Sequence, residues 1–263
     1  MISPPSIAAR TGASASQTGA KEICTYLDWD SNFFGQRIAR LNGSRLTGSN
    51  VTDVLAWCAD QRIDCLYLLG DADDAETGRV AEQNSFLEVD VRLTLARPIT
   101  QEDQPSGLPM DCRVRLAHES DLTILRQLVR TLHHESRFYF DQGFERAKCD
   151  LLYETWIEKS FEDPAQTVFV PEVDGQPVGY MACNAAGHES QIGLLGIAGS
   201  HARTGLGKAL VQRFLLWSAQ QGIRRATVVT QARNTAAQGL YQHCGFLPLF
   251  SQRWYHRWFT DRE

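Results

Sequence analysis

The sequence predicts an α/β protein on a mixed sheet, a smaller α/β unit preceding a larger one. Three observations predict it. Short apolar runs of strand length alternate with segments of helical period along most of the chain. A polar stretch with two prolines at residues 101–110 separates two such series. Asp174-Gly175, between two apolar runs, is the type I′ signal of a hairpin.

Residues 1–20 are rich in Ser, Ala, Gly and Pro and almost free of large apolar side chains, which predicts a disordered tail without a signal-peptide core. Residues 21–100 form the first unit. Trp29, Phe33 and Phe34 suit a core corner better than a ligand wall. Residues 38–41 read as a short strand, 51–61 as a helix through Val54, Leu55 and Cys58, 65–69 as a buried strand and 73–84 as an exposed helix. Residues 89–95 alternate. Val89, Val91, Leu93 and Leu95 are expected on a buried face, and Asp90, Arg92 and Thr94 on the other.

The second unit, 111–263, opens with a strand at 112–116 and a helix at 119–132 that carries Leu122, Leu125, Leu128 and Val129. An aromatic loop at 134–141 leads to a helix at 144–161, set by Leu152, Trp156 and Ile157. The hairpin strands are 167–173 and 176–182. Then come an apolar strand at 192–197 and a turn. The next helix has Leu206, Leu210, Phe214 and Ser218 at helical spacing and is stopped by Gly222. A strand at 226–230, a short helix from Asn234 to near Gly245 and a long strand at 250–259 close the chain; no internal repeat is evident.

The composition excludes several classes. The 263 residues are 43% hydrophobic, enough for a sizeable core, and carry a formal charge of −5 with no polybasic run, which argues against nucleic acid as a partner. No apolar stretch reaches the roughly 18 residues of a membrane span. Seven cysteines without a C-x-x-C pair or a histidine at metal spacing read as free thiols of a reducing, cytoplasmic protein without a metal. His133 and His134 are adjacent and point to different helix faces. A homodimer is allowed.

Gly205-x-Gly207 opens the helix after the apolar strand. The free N–H groups and dipole of a helix start attract an anion, and glycine removes the Cβ that would keep a phosphate away. The spacing suits a pyrophosphate but is neither a Walker loop nor a full dinucleotide fingerprint, and glycines at a helix start are more often turn chemistry alone.

The wider arrangement resembles the GCN5-related N-acetyltransferase family over roughly residues 111–260. That family's loop, Gln/Arg-x-x-Gly-x-Gly/Ala, matches Ala202 to Gly207 except at the first position, and its later Asn, Ala-x-x-x-Tyr and Gly-Phe match Asn234, Ala237, Tyr241, Gly245 and Phe246. The resemblance implies an acetyltransferase fold and acetyl-CoA as co-substrate, held by Arg203, Thr204, Gly205, Leu206, Gly207, Lys208, Asn234, Ala237 and Tyr241. It also implies that the backbone of Leu195 meets the thioester carbonyl and that of Ile197 the pantetheine. Residues 27–35, Ser136-Arg137-Phe138, Trp156-Ile157-Glu158 and Ile192-Gly193-Leu194-Leu195 are similar to a narrower branch, the dTDP-4-amino-4,6-dideoxygalactose (TDP-fucosamine) acetyltransferases. That branch pairs a partial N-terminal acetyltransferase-like domain with a complete one and acetylates the 4-amine of a nucleotide sugar for surface polysaccharide.

The chemistry then needs an acid and a base. Tyr241, protonated at neutral pH, suits the acid that receives the departing thiolate, against the alternative of a packed aromatic. The acetyl-bearing strand carries no carboxylate, Gln191 standing where some family members place a Glu. Asp90 matches an acidic position of the narrower branch that is proposed to act through ordered water, against the alternative of a solvated strand residue. Arg137 and Phe138 are expected at the acceptor, Arg137 on phosphate or else in a surface ion pair. Trp29, Phe33 or Phe34 would stack on a nucleobase. An enzyme acting on a peptide N-terminus or an aminoglycoside, and a CoA-binding module without catalysis, remain the alternatives.

Overall fold

The structure is a computed structural model that describes residues 22–100 and 112–259. The tail at 1–20 and the linker at 101–110 lie outside the described residues. The first half contains β1 (Cys24–Tyr26), α1 (Asp28–Phe34), β2 (Ile38–Leu41), α2 (Val51–Asp60), β3 (Cys65–Asp71), α3 (Ala75–Gln83) and β4 (Leu87–Pro98). The second contains β5 (Cys112–Leu116), α4 (Leu122–Arg130), α5 (Arg137–Phe140), α6 (Arg146–Glu162), β6 (Gln166–Val173), β7 (Gln176–Pro177), β8 (Gly179–Ala186), β9 (Glu189–Ile197), α7 (Leu206–Gln220), β10 (Arg225–Gln231), α8 (Thr235–His243) and β11 (Leu247–Trp258).

The mixed sheet runs β1-β2-β3-β11-β4-β10-β9-β8-β6-β5, with β7 hydrogen-bonded to β6. The order contains an exchange. β11, the last strand of the second half, lies between β3 and β4; β4, the last strand of the first, lies between β11 and β10. Each half thus completes the other's sheet, and β4 becomes a central strand. That corrects the alternation expected for 89–95. Covered on both faces, β4 buries Val89 with Asp90 and Thr94 with Leu95. The helix expected as exposed at 73–84 likewise buries Thr77, Val80 and Ala81 in α3.

The structure also reveals a repeat. At an offset of 160 residues α2 and α7 end together (Asp60, Gln220), β3 matches β10, α3 matches α8 and β4 matches β11. Asp74 and Asn234 both cap helices with their side chains, and the left-handed residues Arg62 and Ser85 match Gly222 and Gly245. Identities at Val51/Val211, Leu55/Leu215, Trp57/Trp217, Ala59/Ala219, Gln61/Gln221 and Ile63/Ile223 follow the same offset.

Two helical layers cover the sheet. On one face, Phe34, Tyr67, Leu125, Val129, Phe138, Phe144, Leu152, Trp156 and Tyr180 form a core that joins α1 to α4, α5 and α6. On the other, α2 and α3 cover the first half, and α7 and α8 the second. Trp29 stacks on Phe33 at 4.9 Å between centroids, and Phe34 packs on Phe138 and Phe144 at 5.5 and 4.5 Å. All three pack with the first of these cores, so the base-stacking role expected for them falls and the core reading stands.

Candidate active site

A cleft of ≈ 1180 Å³ opens where β9 leaves β10. The parallel pairing runs from Arg225↔Glu189 to Val228↔Ile192 and stops. On the other edge, Cys183 faces Ile192 and Ala182 faces Leu194, which leaves Gly193 as the extra residue of a bulge that bends β9 away. Ala198 N–H donates to Val178 O at 2.8 Å, which makes Ile197↔Gly179 and Leu195↔Met181 non-hydrogen-bonded pairs. The N–H groups of Leu195 and Ile197 therefore point away from β8 into the gap, as a thioester-binding strand requires.

Opposite stands the start of α7. Gly205 is its N-cap at φ +93, a conformation that suits glycine, and the N–H groups of Leu206, Gly207 and Lys208 head the first turn without intrahelical partners. A Cβ on Gly207 would lie 3.1 Å from Leu240 Cδ2, so this glycine also admits α8 close to α7. Arg203, Gly205, Gly207 and Lys208 line the cleft. Thr204 and Leu206 do not: the Thr204 hydroxyl donates to His201 O at 2.7 Å, tying the loop, and the Leu206 side chain is buried in the protein. Asn234 caps α8, its Oδ1 accepting from Ala237 N–H at 3.0 Å, and both residues border the cleft. One turn on is Tyr241, buried beside Phe246 yet on the cleft wall. Burial pushes its hydroxyl pKa upward, which keeps it protonated at neutral pH.

The far end of the cleft is built by both halves. Asp90 and Arg92 come from β4, Trp254 from β11, Arg40 from β2 and Leu69 from β3, facing Ser136, Arg137, Phe138, Tyr153 and Trp156. Asp90 is 4% exposed and 3.7 Å from Arg233 Nη2, and its Oδ1 has no hydrogen-bond partner among the described residues. Burial raises its pKa to about 6 against the opposing pull of Arg233 and Arg137. It is therefore no solvated strand residue. Gln191, by contrast, is buried outside the cleft lining.

Arg137 departs from one of the two readings given to it, the surface ion pair. The loop around it winds into α5, and the residue is 5% exposed, so it is no surface ion pair. Its guanidinium lies 4.0, 4.3 and 4.4 Å from the ring centroids of Trp254, Phe138 and Tyr67. Its Nη1 donates to His256 Nε2 at 2.6 Å, and His256 Nδ1–H donates to Asp141 Oδ2 at 2.6 Å. Burial holds the His256 pKa at about 4, so the ring is neutral and can accept from one side while donating from the other. Asp141 also accepts from Trp258 Nε1 at 2.9 Å and Gly143 N–H at 2.9 Å. Arg137 is thus a fixed cation on the cleft wall, with one edge already committed. Arg137→Ala is expected to cost on the order of 3 kcal/mol of stability in urea unfolding, through lost packing and a stranded His256 acceptor. A loss below 0.5 kcal/mol would mean that the cage does not hold.

Sequence reasoning passed over Arg40, Arg92, Tyr153 and the His256–Asp141 pair, whose neighbours come from distant segments. His133 was weighed only as a metal ligand. It lines the cleft, stacks on Tyr153 at 4.7 Å and pairs with the Tyr180 hydroxyl, and burial lowers its pKa to about 4. Among the described residues, no three His, Cys, Asp or Glu side chains gather as metal ligands, and no helix is long and apolar enough to cross a membrane.

A strand splayed from its neighbour, a glycine-led helix start and a buried, protonated tyrosine share one cleft, an arrangement chemically suited to a CoA thioester. Residues 128–246 match the model of the acetyltransferase (GNAT) family. The chain is 29% identical over 97 residues to a mycothiol acetyltransferase of Clavibacter sepedonicus, a match spanning 37% of this chain and 30% of that protein. A GCN5-related N-acetyltransferase of Sphaerobacter thermophilus superposes with a TM-score of 0.64 at 16% identity, over 89% of this chain and 76% of that one. A functionally unknown conserved protein of Staphylococcus epidermidis superposes with a TM-score of 0.63 at 13% identity, over 93% and 94%. These structural likenesses concern the fold.

Proposed function

We propose that the chain is a cytoplasmic acetyl-CoA-dependent N-acetyltransferase whose acceptor is the amine of a nucleotide-linked amino sugar, of the dTDP-4-amino-4,6-dideoxyhexose type. One observation carries the acceptor class. In the far half of the cleft Asp90 is the single carboxylate among the described lining residues, and it stands among Arg40, Arg92 and Arg137. Such a wall suits an anionic acceptor better than a cationic aminoglycoside. Acetyl-CoA supplies an acyl group activated as a thioester. The Leu195 N–H polarises its carbonyl, and the α7 start and Asn234 hold its polar end. Asp90 takes the proton that the amine nitrogen loses as its C–N bond forms. Tyr241 gives its proton to the sulfur as the C–S bond breaks, and solvent restores it.

The test is release of free thiol from acetyl-CoA across a panel of dTDP- and UDP-linked amino sugars, free amino sugars, peptides and aminoglycosides. The highest kcat/KM is expected for a nucleotide-linked amine. Faster turnover of a peptide or an aminoglycoside would overturn the acceptor class. Absence of turnover with any amine, together with CoA binding, would favour a non-catalytic module.

The cofactor end has its own test. Gly205→Val is expected to abolish the rise in Tm produced by acetyl-CoA and, because φ is +93, to cost about 1–3 kcal/mol of stability as well. Gly205→Asn separates the two effects. Asparagine tolerates the left-handed region, so the fold should survive while the new Cβ still weakens acetyl-CoA binding. An unchanged Tm shift in Gly205→Asn would put the cradle elsewhere.

A further inference from the structure

We infer that the sheet face of the first half forms the anion-binding part of the acceptor site, with Arg40 and Arg92 as its contacts. The inference deepens the nucleotide-sugar reading and rests on it for the amine, though not for the anion.

The 160-residue repeat shows what the first half has lost. Gly205, Leu206 and Gly207 correspond to Arg45, Leu46 and Thr47. Where α7 starts at Leu206, α2 starts only at Val51, and the turn that would cradle a pyrophosphate is missing. Leu46 is fully buried, its N–H bonded to Thr77 Oγ1 at 3.0 Å. Arg45 Nε lies 3.0 Å from Oδ2 of Asp74, the counterpart of Asn234. The groove that holds a cofactor in one copy is therefore closed by an ion pair and a leucine in the other.

The opposite face of the same strands looks into the cleft. Cross-strand register places side chains in rows, since paired residues share a face. Arg40 pairs with Tyr67, and Tyr67 with His256. Leu69 pairs with Trp254, and Trp254 with Asp90. Gln252 pairs with Arg92. Steps of two residues along β3, β11 and β4 put all three rows on one face, with Leu69 and Trp254 as an apolar floor between the arginines. From β2 to β4 is three strand spacings, roughly 14 Å. A compact amine would leave most of that floor bare. An acceptor with its amine at Asp90 and a phosphate chain running toward Arg40 would cover it. Arg92 Nε is buried with no hydrogen-bond partner among the described residues, and burial lowers its pKa first, with the Arg137 charge adding to this. An anion there supplies what the site lacks, a partner for that N–H and a counter-charge. Arg40, exposed at the outer end, would contact the distal phosphate or sugar-nucleotide end.

The experiment is calorimetric binding of dTDP, UDP and inorganic pyrophosphate to the full chain with the cofactor site saturated by CoA. At least one of the three is expected to bind, to compete with the amine acceptor and to weaken with rising salt. Arg40→Ala, a surface change, should raise the Kd about tenfold or more. Arg92→Lys, which keeps the charge and loses the fork, should raise it as well. Both variants should keep the Tm rise with acetyl-CoA, which shows that they are folded. No binding of any of the three at millimolar concentration, or equal binding by wild type and both variants, overturns the inference. Binding that depends on Arg40 in an enzyme that acetylates no nucleotide-linked amine leaves the anion site standing and removes the acceptor reading instead.

Discussion

Tyr241→Phe is expected to lower kcat by about 10²–10⁴-fold while acetyl-CoA still raises the Tm as it does for the wild type. The phenyl ring preserves the contact with Phe246, whose centroid is 5.9 Å away, so the wall of the cleft keeps its shape. Only the proton donor goes. Burial raises the pKa of this hydroxyl, so at neutral pH the wild-type residue is protonated. The same raised pKa makes its anion a strong base that recovers a proton quickly. Tyr241→Ala would test something else, since removing a buried ring also opens a cavity. An acyl donor with a better leaving group than the CoA thiolate needs less protonation and should restore part of the lost rate in Tyr241→Phe. A Phe variant with wild-type kcat would end the assignment.

What the sequence conveyed and what it hid divide along a physical line. Segments whose structure is local were legible. The helix stop at Gly222 and the cap at Asn234 appear as read, and Asp174 and Gly175 both take positive φ at the hairpin. So was β9, because an apolar run leading into glycines is a property of neighbours in the chain. The exchange of β4 and β11 was not legible. A strand's partners are set by packing across 160 residues, and 89–95 has the alternation of an edge or one-sided strand although it lies in mid-sheet. From this one error follow the others on the acceptor side. The competing readings of Asp90 as a solvated residue and of Arg137 as a surface ion pair survived in the sequence because the wall that buries both is made in part by β11. The repeat, however, did leave a signal. Val51, Leu55, Trp57, Ala59, Gln61 and Ile63 recur at a constant offset of 160, and comparison of the chain with itself would have found them.

The same exchange gives the active site its character. A carboxylate on an outer strand would titrate near its ordinary value and remove few protons from an amine at the cost of little stability. In mid-sheet, against Trp254, Asp90 is desolvated, and its proton affinity moves toward that of a useful base at neutral pH. Burial in mid-sheet accomplishes that, against the opposing pull of Arg233 and Arg137.

Asp90→Asn is therefore expected to lower kcat/KM for the amine by about 10²–10⁴-fold, with the acetyl-CoA-dependent Tm shift intact. The amine's own ionisation also makes the rate fall in acid, so the pH profile of either protein alone would not identify the base. The ratio of wild type to variant cancels that contribution. It should be nearly flat above pH 7 and decline below about pH 6, where Asp90 takes up its proton. Stability gives a second reading of opposite sign. The folded-state pKa is raised above the ordinary 3.8, so the folded protein binds this proton more tightly than the unfolded chain does. The contribution is fully present below pH 3.8, where both states are protonated, and is lost as pH rises through about 6. By pH 8 holding the carboxylate ionised costs the wild type about 3 kcal/mol relative to acid conditions. Asparagine does not ionise and escapes that cost. In urea unfolding Asp90→Asn should therefore gain on the wild type between pH 4 and pH 8, by up to that amount, while losing turnover. A variant that is slower and shows no such gain would mean that the pKa of Asp90 is not raised in the folded protein. A variant that gains stability and keeps its rate would leave the desolvated carboxylate in place and send the search for the base to a water held by the same wall.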